Sequence, residues 1–183
     1  MGSAVRLILG LDKGTEKPTE AARAHPNFEC VMVETAEEMA MEAMKRLPTS
    51  DGVIATAAVL DYRVENSEPG KIKRADEPIT LRLLPSVDVL ATLRALSRED
   101  QFFVGFAAET ENELENAKKK LESKKLDYIF VNRVSRANER LETGFGTPSN
   151  AGTLLKRGAE PKAFTLRTKE ELARDLLHEV LPQ

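Results

Sequence analysis

One cysteine, Cys30, stands alone in the chain, so no internal disulfide can form and a reducing cytosol fits it. Histidine is almost as scarce: His25 and His178 are isolated, and neither has a partner at metal-ligand spacing. No apolar run approaches the roughly 20 residues that a membrane-spanning helix needs. The opening MGSAVRLILGL lacks the basic segment and long apolar stretch of a signal peptide. Positive charge is not in excess, because the formal net charge of -3 argues against a general nucleic-acid binder. No Ser-His-Asp order and no metal-ligating cluster appears, and the absence of Gly-x-Gly-x-x-Gly disfavours a general dinucleotide oxidoreductase. What is present reads as a soluble globular chain, with 41% hydrophobic and 31% charged residues. Its 183 residues suit one domain, 1–183, large enough for a proper core.

Apolar runs and helical periods alternate. VRLILGL (Val5 to Leu11) and CVMV (Cys30 to Val33) predict buried strands. ETAEEMAMEAMKRL predicts a helix with a Thr35/Glu38 capping box, ended by Pro48. GVIATAAV (Gly52 to Val59) is continuously apolar, as a central parallel strand should be. Asp61 to Pro78 has no clear period, and loops of such length are usually functional or disordered. SVDVLATLRALS predicts a helix capped by Ser86, and FFVGFAA (Phe102 to Ala108) another buried strand. TENELENAKKKLESKK predicts a helix opened by a Thr110/Glu113 capping box, and DYIFVN (Asp127 to Asn132) a further strand. AGTLLKRGAEPKAFTL predicts a hairpin turning at Arg157–Glu160, and TKEELARDLLHEVL a last helix with a Thr168/Glu171 capping box. Strands alternating with helices predict an α/β fold, a Rossmann-like three-layer αβα arrangement with a mostly parallel sheet. The hairpin would add antiparallel strands at its edge.

In such sheets ligands bind beyond the carboxyl ends of the strands. Asp61 and a basic loop follow Gly52–Val59; Ala107, Ala108, Glu109 and Thr110 follow Phe102–Phe106; Asn132 follows Asp127–Val131. These sets are expected to converge on one rim. The basic loop, EPGKIKRADEP, is not a Walker A motif, since Glu65 stands where its first glycine belongs and Ile72 follows Lys71. In an extended segment Lys71 and Lys73 point to one side, which suits an anion, while a solvated charged loop explains them equally. Lys120 and Lys124 are one helical turn apart. They suit a polyphosphate, or a solvated face balanced by Glu113, Glu115 and Glu122. Cys30 reads as core rather than nucleophile, Met39, Met41 and Met44 as packing, and Asp127 as a loop residue before a strand.

Four segments in order resemble the motifs of one family. AAVLDYRVENSEPGKIKR (Ala57 to Arg74), GFAAET (Gly105 to Thr110), AKKKLESKKLDYIFVN (Ala117 to Asn132) and, more loosely, GFGTPSNAGTLL (Gly144 to Leu155) resemble phosphopantothenate–cysteine ligase. This is the synthetase part of the bacterial two-domain coenzyme A flavoprotein, and the likeness spans roughly residues 5 to 181. It implies a cytoplasmic, CTP-dependent ligation of 4'-phosphopantothenate to cysteine through an acyl-cytidylate, with Mg2+ assisting. It also implies a homodimer, no nucleic-acid or membrane partner, and a flavin-dependent decarboxylase fused or separate. By resemblance Lys71 is catalytic, offsetting charge on the α-phosphate and the attacking carboxylate, with Lys73 and Arg74 in support. Asp61, Asp88, Phe106 and the stretch Ala55, Thr56 and Ala57 match nucleotide-binding positions, Lys120 and Lys124 match the triphosphate lysines, and Asn132 lines the site. No residue is assigned to a metal.

The chain also departs from the family pattern. Ser86-Val87-Asp88 stands where the family has Asn-Pro-Asp, and Arg74 replaces the last lysine of the loop. The family's opening glycine turn and its Asn-x-Ser-Ser-Gly-x-Met-Gly segment have no counterpart, so the chain is expected to begin near the family's second strand. Losing a first strand that lies near the middle of a doubly wound sheet should leave a gap. The alternative reading is a catalytically inert nucleotide-binding or assembly module of the same fold.

Overall fold

The computed structural model of the chain describes residues 2–11, 15–66, 70, 72–74, 78–109, 111–133 and 147–181, the side chain of Arg133 apart. Lys71 and Thr110, and with them two of the expectations above, lie outside the described residues, as does the start of the Gly144-to-Leu155 motif, residues 144–146. The chain divides into two compact units, one of Met1–Arg46 with Ala58–Leu93 and one of Leu47–Ala57 with Arg94–Gln183.

In the first unit β1 (Val5–Gly10) and β2 (Phe28–Val33) form a two-stranded parallel sheet in register from Val5↔Phe28 to Gly10↔Val33. Between them lies a one-turn helix α1 (Glu20–Arg23), capped by the Thr19 hydroxyl. The apolar runs predicted both strands but overstated their burial: with one neighbour each, they leave Val5 and Met32 half exposed. Helix α2 (Ala36–Arg46) opens on the predicted capping box. The Glu38 amide donates to Thr35 Oγ1 at 3.1 Å, and Glu38 Oε2 accepts from the Thr35 and Glu34 amides. The methyl end of Met39 lies close over Gly10, so α2 covers β1 there. At its last turn Arg46 bridges Glu42 and Glu29 of β2, and its hydrogen bonds, with that of Lys45, hold the Glu42 carboxyl below its usual range.

The aperiodic stretch after Asp61 contains a strand. β4 (Tyr62–Val64) pairs antiparallel with β5 (Leu83–Pro85), and Tyr62, Val64 and Leu83 stay exposed. Three residues are too short for a period to show, which is why the sequence reads as loop there. Helix α3 (Val89–Leu96) begins at Asp88, not Ser86. The Ala91 amide donates to Asp88 Oδ1 at 3.0 Å, whereas the Ser86 amide donates to the Asp61 carbonyl. The carboxylate sits three residues from the first free amide of the turn, the spacing a cap requires.

The second unit is built on five strands: β3 (Gly52–Ala55), β6 (Phe102–Glu109), β7 (Tyr128–Arg133), β8 (Ser149–Lys156) and β9 (Lys162–Thr168), in the order β3-β6-β7-β8-β9. The first three run parallel, and the predicted hairpin adds β8 and β9 antiparallel, turning through Gly158 at φ 74. The expected central strand is corrected. β3 is short and pairs only with β6, because residues 56 to 60 find no ladder, and the middle of this sheet is β7.

Side-chain alternation assigns the two faces of this sheet. Val104, Phe130, Leu154 and Phe164 face Leu172, Leu176 and Val180 of helix α5 (Lys169–Val180). Residues of the other parity, such as Phe103, Ile129 and Leu155, face away from α5, as does Glu109, whose carboxylate receives Lys120 of helix α4 (Glu113–Ser123). Helices therefore cover both faces, as the predicted αβα layering requires. Asp127 proves to be a tie, not a free loop residue: its Oδ2 accepts from the Phe103 amide at 2.8 Å. Buried Gln101 likewise donates to the Leu47 and Ser50 carbonyls, fixing the turn that leads into β3.

Helix α4 departs from expectation at its start. Its N-cap is Asn112, in the left-handed region at φ 50 and without a side-chain cap bond. Asparagine tolerates that conformation better than most residues, and the N-cap stands at Asn112 rather than at the expected Thr110. Helix α5 has the predicted cap complete, with Thr168 Oγ1 accepting from the Glu171 amide and Glu171 Oε2 from the Thr168 amide. Thr168→Ala is expected to cost about 1 kcal/mol in denaturant unfolding. The Thr168 hydroxyl and amide hold the Glu171 carboxyl below its usual value of 4.5. A depressed carboxylate contributes stability above its unfolded value and loses it as pH falls through the folded one. The Thr168→Ala deficit is thus expected at pH 7 and should shrink on acidification below pH 4.5, read from unfolding midpoints at each pH.

Candidate active site

The three parallel strands of the second unit run in one direction; β6 and β7 end level with each other, and β3 ends earlier, level with Gly105. β3 closes at Ala55, followed by exposed Thr56 and Ala57; β6 closes at Glu109; β7 closes at Asn132 and Arg133. The register Ala55↔Gly105, Phe106↔Phe130 and Ala108↔Asn132 places these ends on one rim. Asn132 was expected at this rim; Ala55, Thr56, Ala57 and Phe106, which only the resemblance matched to nucleotide-binding positions, lie on the same strands, and Asp61 with the basic loop, expected here too, belongs to the first unit.

Each face of the rim offers different chemistry. On the α5 face the Phe106 ring is about one-third exposed and its centroid lies 5.5 Å from that of Phe130, which fixes its plane. Asn132 shares that face by alternation and is 8% exposed, and no described residue hydrogen-bonds its amide. An aromatic face beside an available amide suits a flat heterocycle. On the α4 face the groups are charged. Lys120 Nζ donates to Glu109 Oε1 at 2.6 Å, and Asn116 Nδ2 donates to Glu109 Oε2 at 3.1 Å.

The lysine cluster separates into two sets. Lys119 pairs with Glu115 along the helix at 2.7 Å, and this hydrogen bond holds the Glu115 carboxyl below its usual range. That is the solvated face the charge pattern allowed for. Lys120 instead reaches off its helix to the strand end. Lys124 is the C-cap of α4, its amide donating to the Lys120 carbonyl at 3.1 Å, so both lysines sit at the helix C-terminus, where cations are favoured. Sequence reasoning placed Glu109 at a strand end but gave it no role, and it did not single out Asn116. The available signal was the i, i+4 spacing of Asn116 and Lys120, which puts them on one helix face.

The remaining predicted residues belong to the first unit. The Asp61 carbonyl accepts from the Ser86 amide at the start of the β4–β5 pair. Asp88 caps α3, which engages the carboxylate that the resemblance assigned to a nucleotide. Lys73 and Arg74 are exposed. Among the described residues no three His, Cys, Asp or Glu side chains gather as a metal site, and no helix is long and apolar enough to cross a membrane.

Known proteins align with nearly all of the chain. It is 31% identical over 181 residues, 99% of the chain and 47% of the relative, to a protein named cysteine/cysteine sulfinic acid decarboxylase from an unknown prokaryotic organism. It is 35% identical over 155 residues, 85% of the chain and 37% of the relative, to the coenzyme A biosynthesis bifunctional protein CoaBC of Haemophilus influenzae. The chain thus spans less than half the length of these relatives. A crystal structure of the C-terminal domain of a CoaBC protein superposes with a TM-score of 0.72 at 29% identity, covering 97% of this chain and 72% of that one. A family model matches residues 1–182, and the chain belongs to the family of the DNA/pantothenate metabolism flavoprotein C-terminal domain.

Proposed function

We propose that the chain carries the phosphopantothenate–cysteine ligase step of coenzyme A biosynthesis, with CTP as the activating nucleotide, in a reducing cytoplasm. The observation that supports this best is Lys120, brought by α4 to Glu109 at the end of β6, with Phe106 and Asn132 on the other face of the same strand ends. A base stacked on Phe106 would leave its phosphates to cross the rim toward Lys120 and Lys124. The family membership and the relatives named for coenzyme A biosynthesis supply the acyl substrate.

In the reaction, a carboxylate oxygen of 4'-phosphopantothenate attacks the α-phosphorus of CTP and pyrophosphate leaves. The cysteine amine then attacks the acyl carbon, the acyl–oxygen bond breaks, CMP departs, and the amine loses its proton. Lys120 and Lys124 would hold the β- and γ-phosphates as point charges. Lys71, with Lys73 and Arg74 nearby in sequence, would meet the charge that gathers on the α-phosphate. Mg2+ would enter with the triphosphate and offset part of its charge, beside Lys120 and Lys124.

Titration calorimetry with CTP tests the nucleotide site. The parent chain is expected to bind CTP, and Lys120→Ala to weaken it about tenfold, the value of a charge-assisted contact to phosphate. No CTP binding, or an unchanged Lys120→Ala variant, would sink the nucleotide assignment. Pyrophosphate release on adding phosphopantothenate and cysteine separates the ligase from an inert module of the same fold.

A further inference from the structure

We infer that Glu109 is a positioning residue that aims Lys120 at the nucleotide phosphates, an inference resting on the ligase reading above. Glu109 is the last residue of β6, and its side chain is 14% exposed. Both oxygens are held from the same helix face, Oε1 by Lys120 at 2.6 Å and Oε2 by Asn116 at 3.1 Å. Asn116 is itself anchored, donating also to the Glu111 carbonyl at 3.1 Å. A carboxylate gripped on both sides and mostly buried cannot swing away, so it fixes the tip of a lysine whose four-carbon stem is otherwise free. An ammonium carries three donors; among the described residues only Glu109 receives one, which leaves two for phosphate oxygens.

Ordinary surface pairing does not account for this arrangement. Lys119 shows what that looks like on the same helix, an i, i+4 pair with both partners about two-thirds exposed. The Lys120 pair joins a helix to a strand end through a third residue, at the rim where β6 and β7 finish. The order it imposes is worth more to a ligand than to the fold, because a half-exposed pair adds little stability.

The test is calorimetry of the full chain with CTP and CMP. Glu109→Gln is expected to weaken CTP about fivefold, the upper end for a half-exposed ion pair, and to leave CMP unchanged. A merely structural role would move both nucleotides together. Asn116→Ala, which loosens the same carboxylate from its other side, should lower the CTP-to-CMP affinity ratio to a smaller extent. In a Lys120→Ala background Glu109→Gln should leave that ratio where it stands. An unchanged ratio in Glu109→Gln, with Lys120→Ala lowering it, would overturn the positioning role and keep the nucleotide site. Tighter CTP binding would overturn it too, showing that Glu109 competes with phosphate for Lys120. A Lys120→Ala variant with the parent's ratio would remove the nucleotide reading, and this inference with it.

Discussion

Phe130→Ala is expected to destabilise the protein by about 3–5 kcal/mol, enough to consume much of the roughly 5–15 kcal/mol that holds a domain folded. Phe130 is fully buried in β7, the middle strand of the five. Its ring meets Phe164 edge-on at 6.2 Å and Phe106 at 5.5 Å, within the cluster that α5 closes. The neighbouring strand is shaped for it. A Cβ on Gly152 would stand 2.5 Å from Phe130 Cζ and 2.4 Å from the Val131 carbonyl, so the ring lies over a position where only glycine fits. Truncation therefore leaves a cavity bounded by three strands and a helix. Denaturant unfolding would show the loss as a lower midpoint at unchanged slope, and a loss below about 1 kcal/mol would contradict the account. The same ring holds Phe106 at the rim, so the variant should bind CTP more weakly even where it remains folded.

The sequence disclosed this fold to the extent that its signals were long. Eight-residue β6, the α2 and α5 capping boxes and the β8–β9 hairpin were all legible, because period and cap chemistry repeat within one element. The order of the strands was not. GVIATAAV reads as a central strand from its apolar composition, yet its place at an edge depends on which partners exist, and that is a non-local property. Short elements were lost for the opposite reason, as with β4 and β5 at three residues each. For the site, the ends of β6 and β7 were close to where the sequence put them, whereas β3 stops at Ala55 rather than Val59, so Asp61 and the basic loop do not follow it directly. The Glu109–Asn116–Lys120 contact was invisible, because nothing in a linear pattern says which carboxylate a lysine on a helix will find. Asp88 shows the reverse case: the resemblance offered a ligand role, and the local structure uses the carboxylate as a cap.

Lys71→Ala is expected to lower the ligation rate about a thousandfold while nucleotide affinity moves little, the range seen when one preorganised charge-stabilising group is removed. The reason lies in when the charge appears. On the proposed reading Lys120 and Lys124 would hold the triphosphate in the ground state; as the carboxylate closes on the α-phosphorus, two anionic groups would approach, and Lys71, supported by Lys73 and Arg74, would meet the developing charge. A contact made only then lowers kcat and kcat/KM together and leaves the ground-state affinity alone. The fold should not register the change. Gly70, Ile72, Lys73 and Arg74 beside it are all exposed, and substitutions at such sites shift stability by less than about 0.5 kcal/mol. The measurement is pyrophosphate released from CTP with phosphopantothenate and cysteine, set against calorimetric CTP binding and the unfolding midpoint of the same variant. A rate within about tenfold of the parent would assign the α-phosphate to another group, with Lys73 or Arg74 next to be replaced. A rate lost together with CTP binding would make Lys71 a ground-state contact of the nucleotide, one that acts before the carboxylate arrives.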